Sequence, residues 1–523
     1  MSLNEEQQVK RFPGMKINVR AKARWDELAG LLVVILGIVA LIYYFSWWSY
    51  ESRLSSPLYA LWFLAATVFT IFQLLCVWAI DLAAFRRPQN RRASVNHLTT
   101  DVFLTTCGEP VDLVERSLSA ACNMRGNYCV WLLDDGHDPR LQRLAGALGA
   151  SYLTREDRQD AKAGNINAAL ARTTGDIIAI FDVDHVAEPE FLERSLPLFA
   201  ESDIGFVQVM LTSENEDESL IAHAAAQATL DFYNPISLGS DRLGAATLIG
   251  SNALIRREAL ASIECYQPGL AEDLATSLAL HAKGWRSAYV HEPLAPGLAP
   301  PDLAAWFTQQ VKWSRGVFEV LLTAFPRLCH RLTLGQFISY GARMTYYWLG
   351  LALAFHIFLA ILAVWDSVLL PAEVFNGYLK RLLPVWVMIL LINQFSLLRW
   401  RHKSITLKES LFRLRAHVLV ISTWPAYLLS WVMALFRVPL TFRPTPKSPG
   451  GLLNPAWIAP HLIVIVVISM GLGRFVGSVE DVRPYWLLLV FLILILATQL
   501  FLPVWWLVEL RNKTGAELSA ASD

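Results

Sequence analysis

Two hydrophobic patterns divide this chain. Uninterrupted apolar stretches at 28–48, 58–80, 346–365, 382–398, 456–473 and 487–508 have the length of membrane-spanning helices. Between the second and third, from Arg86 to about Tyr340, the pattern changes. Short apolar runs at 102–105, 128–133, 177–181 and 204–209 alternate there with amphipathic segments such as 111–123 and 141–148. Alternation of this kind predicts a mostly parallel, doubly wound α/β sheet in one large domain.

A seventh apolar stretch, 416–436, contains Pro425 and is flanked by Arg413, Arg415 and Arg437. Basic residues cluster before the first span (Lys10, Arg11, Lys16, Arg20, Lys22, Arg24), after the second (Arg86, Arg87, Arg91, Arg92) and after the fourth (Arg399, Arg401, Lys403). All three clusters fall on the cytoplasmic side if six stretches span. A spanning 416–436 would put Arg437, Arg443 and Lys447 on the opposite side, so the segment is read as an interfacial amphipathic helix with both chain termini inside. The expected organisation is a cytoplasmic segment with two spans at 1–85, an α/β domain at 86–341, a second membrane region at 342–510, and a polar tail at 511–523. The second membrane region includes the helix at 416–436 and a loop at about 437–450.

Composition agrees with a membrane protein: 54% of residues are hydrophobic and 19 are Trp, which favours interfacial belts. Zero formal net charge gives no nucleic-acid footprint. The six cysteines are scattered, with no CxxC pair, which argues against a disulfide framework or a zinc site. The polar start Met1-Ser2-Leu3-Asn4-Glu5-Glu6 is not expected to be a cleavable signal peptide.

The candidate chemistry lies in the α/β region. The run 176–181 reads as a buried strand, and Asp182 and Asp184 follow at its C-terminal end, with His185 beside them. Ligands bind at such strand ends, and paired carboxylates suit Mg²⁺ or Mn²⁺ holding a diphosphate. A second strand ends in Asp134-Asp135-Gly136, which is either a turn or a hydrogen-bonding site for a base or ribose. Lys162 sits among small residues and suits phosphate oxygens. Ala271-Glu272-Asp273 opens a helix, where carboxylates cap the dipole or serve as a general base. Gln309-Gln310-Val311-Lys312-Trp313 offers an aromatic face to a sugar ring and a cation to a leaving diphosphate.

In this order the motifs resemble the processive, membrane-embedded members of glycosyltransferase family 2, most of all bacterial cellulose synthase catalytic subunits. The resemblance runs from about Asp101 to Lys447. It implies a GT-A domain in the cytosol, inserted in a transmembrane helix bundle. It further implies that Thr106, Glu109, Asp134, Asp135, Lys162, Asp182 and Lys312 hold a UDP-sugar donor. Asp182, Asp184 and His185 would take Mg²⁺ or Mn²⁺. Asp273 would be the base, with Glu272 as its catalytic neighbour. Gln309, Trp313, Gly250 and Ser251 would face the growing polysaccharide acceptor, and Phe442, Thr445 and Lys447 would form a gating loop.

Four positions depart from the pattern. Cys107 stands where an aromatic residue is expected, Ala271 opens the acidic triplet, and Lys312 replaces an arginine, keeping the charge but losing the bidentate fork. The tail from Arg511 is expected to hold no cyclic-di-GMP-binding PilZ domain. The implied product is a β-glucan from UDP-glucose, cellulose-like, with curdlan-like, mixed-linkage, chitin-like and hyaluronan-like polymers as alternatives. The implied location is a bacterial inner membrane, in contact with lipid and with a periplasmic accessory subunit. A non-processive enzyme acting on a lipid carrier would not need the 309–313 or 442–447 motifs. A transporter with a degenerate domain would not need Asp182, Asp184 and Asp273 together.

Overall fold

The computed structural model describes residues 19–47, 57–85, 98–365, 371–410, 413–440 and 445–520. Helices α1 (Val19–Phe45) and α2 (Pro57–Ala84) precede the α/β domain. Its sheet has seven strands: β1 (Thr100–Thr106), β2 (Tyr128–Asp134), β3 (Ser151–Leu153), β4 (Ile177–Asp182), β5 (Ile204–Val209), β6 (Ala253–Arg256) and β7 (Arg286–Val290). Their spatial order is β3-β2-β1-β4-β6-β5-β7. The first four are parallel, as are β5 and β7, but β6 runs antiparallel to both of its neighbours. Six of the seven strands thus run the same way, the mostly parallel sheet the sequence predicts, with β6 alone reversed. Strand β6 is four residues long and ends in Arg256, too short for periodicity to reveal it.

Period-two alternation sorts the strands into two cores. Val102, Leu104, Ile177, Ala179 and Phe181 pack on one face with Val114, Leu118 and Ala121 of helix α3 (Val111–Cys122). Phe103, Ile178 and Ile180 pack on the other with Ala163, Ile166 and Ala169 of helix α4 (Ala161–Leu170). Helices on both faces are what make β1 and β4 continuous apolar runs. Helix α5 (Glu272–Ala282) follows β6, and α6 (Leu303–Leu322) follows β7.

Helices α7 (Leu334–Thr345), α8 (Leu349–Trp365), α9 (Ala372–Trp400), α10 (Leu414–Ser422), α11 (Trp424–Leu435), α12 (Ala459–Ser478) and α13 (Trp486–Ala520) complete the chain. Helix α9 begins ten residues before the expected 382. Lys380 and Arg381 interrupt the apolar run but not the helix, because Arg381 lays its guanidinium over the Tyr43 ring of α1. Among the described residues seven segments, not six, are long and apolar enough to cross a membrane, and Leu414–Leu435 is one of them. It is two helices, not one, with the break at Thr423 beside Pro425. Half of it is buried, against 28–39% for the other six, so it sits centrally in the protein against α6. The membrane-side core knits α1, α2 and α9 through Tyr44, Trp47, Phe63 and Tyr378, with the Tyr44 and Tyr378 hydroxyls 2.8 Å apart.

Candidate active site

The C-terminal ends of β1, β2 and β4 open onto a cavity of about 890 Å³ that continues into the helical bundle. Asp182 is the last residue of β4, and Asp184 follows in the turn. The backbone N–H of Asp182 donates to Ser251 Oγ at 3.1 Å. Lys162, near the start of α4, donates to the Asp182 carboxylate and, at 2.6 Å, to the Gly250 carbonyl. Lys447 reaches in from the far end of the sequence to pair with Asp184. Ligand atoms of Asp182, Asp184 and His185 lie within 4.8 Å of one another. His185 Nδ1 is buried with no hydrogen-bond partner among the described residues, and Gly297 leaves room for its ring, since a Cβ there would lie 2.6 Å from Nε2.

Charge sets the protonation states. Burial opposes ionisation of Asp182, but Lys162 and His185 together hold the carboxyl below its ordinary value. Burial likewise opposes ionisation of Asp184, and Lys447, with His185 behind it, drives that carboxyl far below its ordinary range. Burial lowers Lys447 too, yet Asp184 raises it overall.

The other acidic pair behaves differently. Glu272 and Asp273 open α5, and Gly250, with φ of +86°, brings its backbone close to both carboxylates and to Lys162. Burial, and then the charge of Asp273, push Glu272 up to about 7. Burial raises Asp273 as well, against the opposing charge of Arg343, whose guanidinium lies 4.0 Å from its carboxylate. Lys312 and Trp313 on α6 line the same space with Gln309, and burial lowers the Lys312 ammonium. Gly316 lets α6 approach the acidic turn, as a Cβ there would lie 2.8 Å from the Ala271 nitrogen.

Most of the sequence-predicted residues converge. Thr106, Glu109, Asp135, Lys162, Gly250 and Ser251 line the cavity with the two acidic pairs, His185 and the 309–313 residues, and Thr445 and Lys447 close it. Glu109 caps its own turn, accepting from Thr106 Oγ1 at 2.7 Å and the Cys107 N–H at 2.6 Å. Asp135 is held bidentately by Arg155 at 2.8 Å. Asp134 departs from expectation. It is fully buried, is not among the lining residues, and accepts from the N–H groups of Gly136 and Asp138 and from the Tyr152 hydroxyl. Its carboxylate builds the turn that presents Asp135. Phe442 lies outside the described residues.

Sequence reading missed Arg343, Arg155 and Gln208. Gln208 is buried in β5, accepts from the Ile249 N–H at 2.9 Å and donates to the Ser251 carbonyl at 2.8 Å, so it fixes the 249–251 loop. A lone glutamine inside Ile204-Gly-Phe-Val-Gln-Val209 was the available signal.

A mixed sheet with an acid cluster at the end of its central parallel strand, reached by helices on both faces, is a GT-A fold. A mannosyltransferase from Pyrobaculum calidifontis, solved with GDP-Man and Mn²⁺, superimposes with a TM-score of 0.51 at 15% identity, over 72% of this chain and 98% of that one. Two family models match the sequence: glycosyltransferase like family 2 at residues 114–316 and cellulose synthase at residues 261–443. The chain is 34% identical over 256 residues to the cellulose synthase 1 catalytic subunit of Komagataeibacter xylinus, covering 47% of this chain and 34% of that protein. It is 28% identical over 478 residues to the cellulose synthase catalytic subunit of Pseudomonas fluorescens (strain SBW25), covering 86% of this chain and 62% of that protein. The chain thus resembles cellulose synthase catalytic subunits and glycosyltransferase like family 2, while spanning less than two thirds of those curated relatives' length. Its described residues hold seven segments long and apolar enough to cross a membrane, as expected of a membrane protein.

Proposed function

We propose that this protein is a UDP-sugar-dependent inverting glycosyltransferase that extends a β-linked polysaccharide and feeds it into its own helical bundle. The observation that carries the reading is the continuity of the cavity. It runs from the acid cluster past Trp313 to Trp386 and Asn393 of α9.

The nucleoside end lies at Thr106, Glu109 and Asp135, and the diphosphate end at Lys162, Lys312 and Lys447. Around the acid cluster four carboxylates (Asp182, Asp184, Glu272, Asp273) meet four cations (Lys162, Lys312, Lys447, Arg343). A diphosphate entering beside Asp182 and Asp184 brings negative charge against negative charge, which a divalent cation between them would offset. Asp182, Asp184 and His185 fit a divalent ion, offering two hard oxygen donors and a buried imidazole whose Nδ1 makes no hydrogen bond among the described residues and lies 3.4 Å from Asp184 Oδ1. Mg²⁺ or Mn²⁺ held there would offset the charge that develops on the leaving diphosphate.

Asp273 removes the proton from an acceptor hydroxyl. That oxygen attacks the anomeric carbon as the carbon–oxygen bond to the diphosphate breaks and UDP departs with the electron pair. One displacement converts an α-linked donor into a β-linked product. Trp313 stacks on the acceptor sugar, with Gln309, Gly250 and Ser251 bounding the sugar space. By likeness, UDP-glucose and a 1,4-linked glucan are the proposed donor and product. The catalytic domain is cytosolic in a bacterial inner membrane, with residues 414–435 at the inner interface.

The test is product formation by purified protein in nanodiscs, given each labelled UDP-sugar with Mg²⁺ or Mn²⁺. Long product from UDP-glucose that cellulase digests is expected. Digestion only by a β-1,3-glucanase moves the linkage, a single sugar on a lipid removes processivity, and no incorporation from any donor overturns the reading.

A further inference from the structure

Lys447 brings its charge into the acid cluster from a segment without regular secondary structure. Something must hold that segment in place. Only Ser448 and Pro449 separate Lys447 from Gly450, so fixing Gly450 confines Lys447 to a radius of about 10 Å.

Gly450 and Gly451 both donate their N–H groups to Asp302 Oδ2, at 3.2 and 2.9 Å. The other oxygen of Asp302 accepts from the Ala305 N–H at 2.8 Å and caps α6. One carboxylate therefore ties the Lys447 segment to the helix that carries Gln309, Lys312 and Trp313. Glycine is required on the loop side. A Cβ on Gly451 would lie 3.0 Å from Ala304 Cβ and 3.2 Å from Asp302 Oδ2, and Gly450 has φ of +115°. Asp302 itself is 7% exposed. The helix end is braced from α13, where Glu509 Oε1 accepts the Leu303 N–H at 3.1 Å. A cap alone would need one oxygen; Asp302 uses both, one for each element.

We propose that Asp302 is a positioning residue of the donor site, setting Lys447 against the acid cluster and in register with Lys312 and Trp313. The inference rests on the glycosyltransferase reading above.

Its two roles separate by mutation. Asp302→Ser keeps a cap for α6 but cannot span to the loop. Gly451→Ala keeps the cap and displaces the loop. In full-length protein in nanodiscs, each is expected to weaken UDP binding and raise donor KM about tenfold, the worth of a lost charged hydrogen bond. Melting temperature should stay near the parent value, and amide exchange across 445–453 should speed up. Asp302→Ala should add a loss of thermal stability through the missing cap. Lys447→Ala should reproduce the affinity loss, and combining it with Asp302→Ser should add little, because both changes remove one interaction. Parent-like UDP affinity in Asp302→Ser, or losses that add in full with Lys447→Ala, would overturn the proposal. A parent protein that binds no UDP would overturn both this and the reading beneath it.

Discussion

The two acidic pairs of the cavity hold their carboxylates in opposite ways. Asp182 and Asp184 stand on one strand end, each matched to a lysine, and both are kept ionised. Glu272 and Asp273 stand at a helix start that the loop at Gly250 and helix α6 press upon, and both are pushed toward the protonated form. An ionised, cation-matched pair suits fixed charge at the donor. A pair with raised proton affinity suits taking up a proton from the acceptor. The Asp182–Asp184 pair rests on the sheet, whereas the Glu272–Asp273 pair depends on how closely helices approach.

The contrast breaks hardest at Asp184. Asp184→Ala strands Lys447 with a buried charge, a cost of about 3–5 kcal/mol. The expected outcome is a clear drop in melting temperature together with loss of metal-dependent UDP binding, read by calorimetry. Unchanged metal-dependent affinity would detach Asp184 from the donor. Gly316→Ala probes the other pair. Overpacking against Ala271 should cost about 1–3 kcal/mol and lower kcat by displacing the acidic turn, with UDP affinity retained. An equal loss of UDP affinity would mean that the two pairs are not separable.

The pH profile sharpens the same comparison. Glu272 and Asp273 titrate as an interacting pair of raised proton affinity, so transfer should rise with pH as Asp273 loses its proton and then level, and in Glu272→Gln that limb should move to lower pH. Stability should show the opposite sign. The folded state keeps a proton on Glu272 from its ordinary 4.5 up to about 7 while the unfolded chain has lost it, so stability falls as pH rises through that window. Thermal melts of Glu272→Gln should lack that slope. The smallest effect is expected at Trp313→Ala, which removes a stacking face worth about 1 kcal/mol; product should shorten while donor binding holds.

The Asp182–Asp184 pair was the more legible because its signals are local. A buried apolar run ending in Asp182-Val-Asp184 declares both a strand and what stands at its tip. Strands β1, β2, β4 and β5 were readable for the same reason. Strand β3 has three residues, β6 has four, and β7 begins with Arg286, so none presents a run long enough to detect. Asp134 carried the right residue type in the right motif, yet its carboxylate faces its own turn, a distinction that only hydrogen-bond partners reveal. Arg343 and Asp302 were invisible because their partners lie 70 and nearly 150 positions away, at Asp273 and at Gly450 and Gly451. The charges at 380–381 hid the first ten residues of α9, since a hydropathy run stops at a charge and a helix does not.

The most direct test of the central claim is Asp273→Asn, measured for both UDP affinity and sugar transfer in the same nanodisc preparation. The account predicts UDP affinity within a few-fold of the parent and transfer lowered about 10²–10⁴-fold, as for removal of a general base. Transfer at the parent rate, or UDP binding lost along with it, would contradict the assignment of Asp273 and the division of donor and acceptor roles between the two acidic pairs.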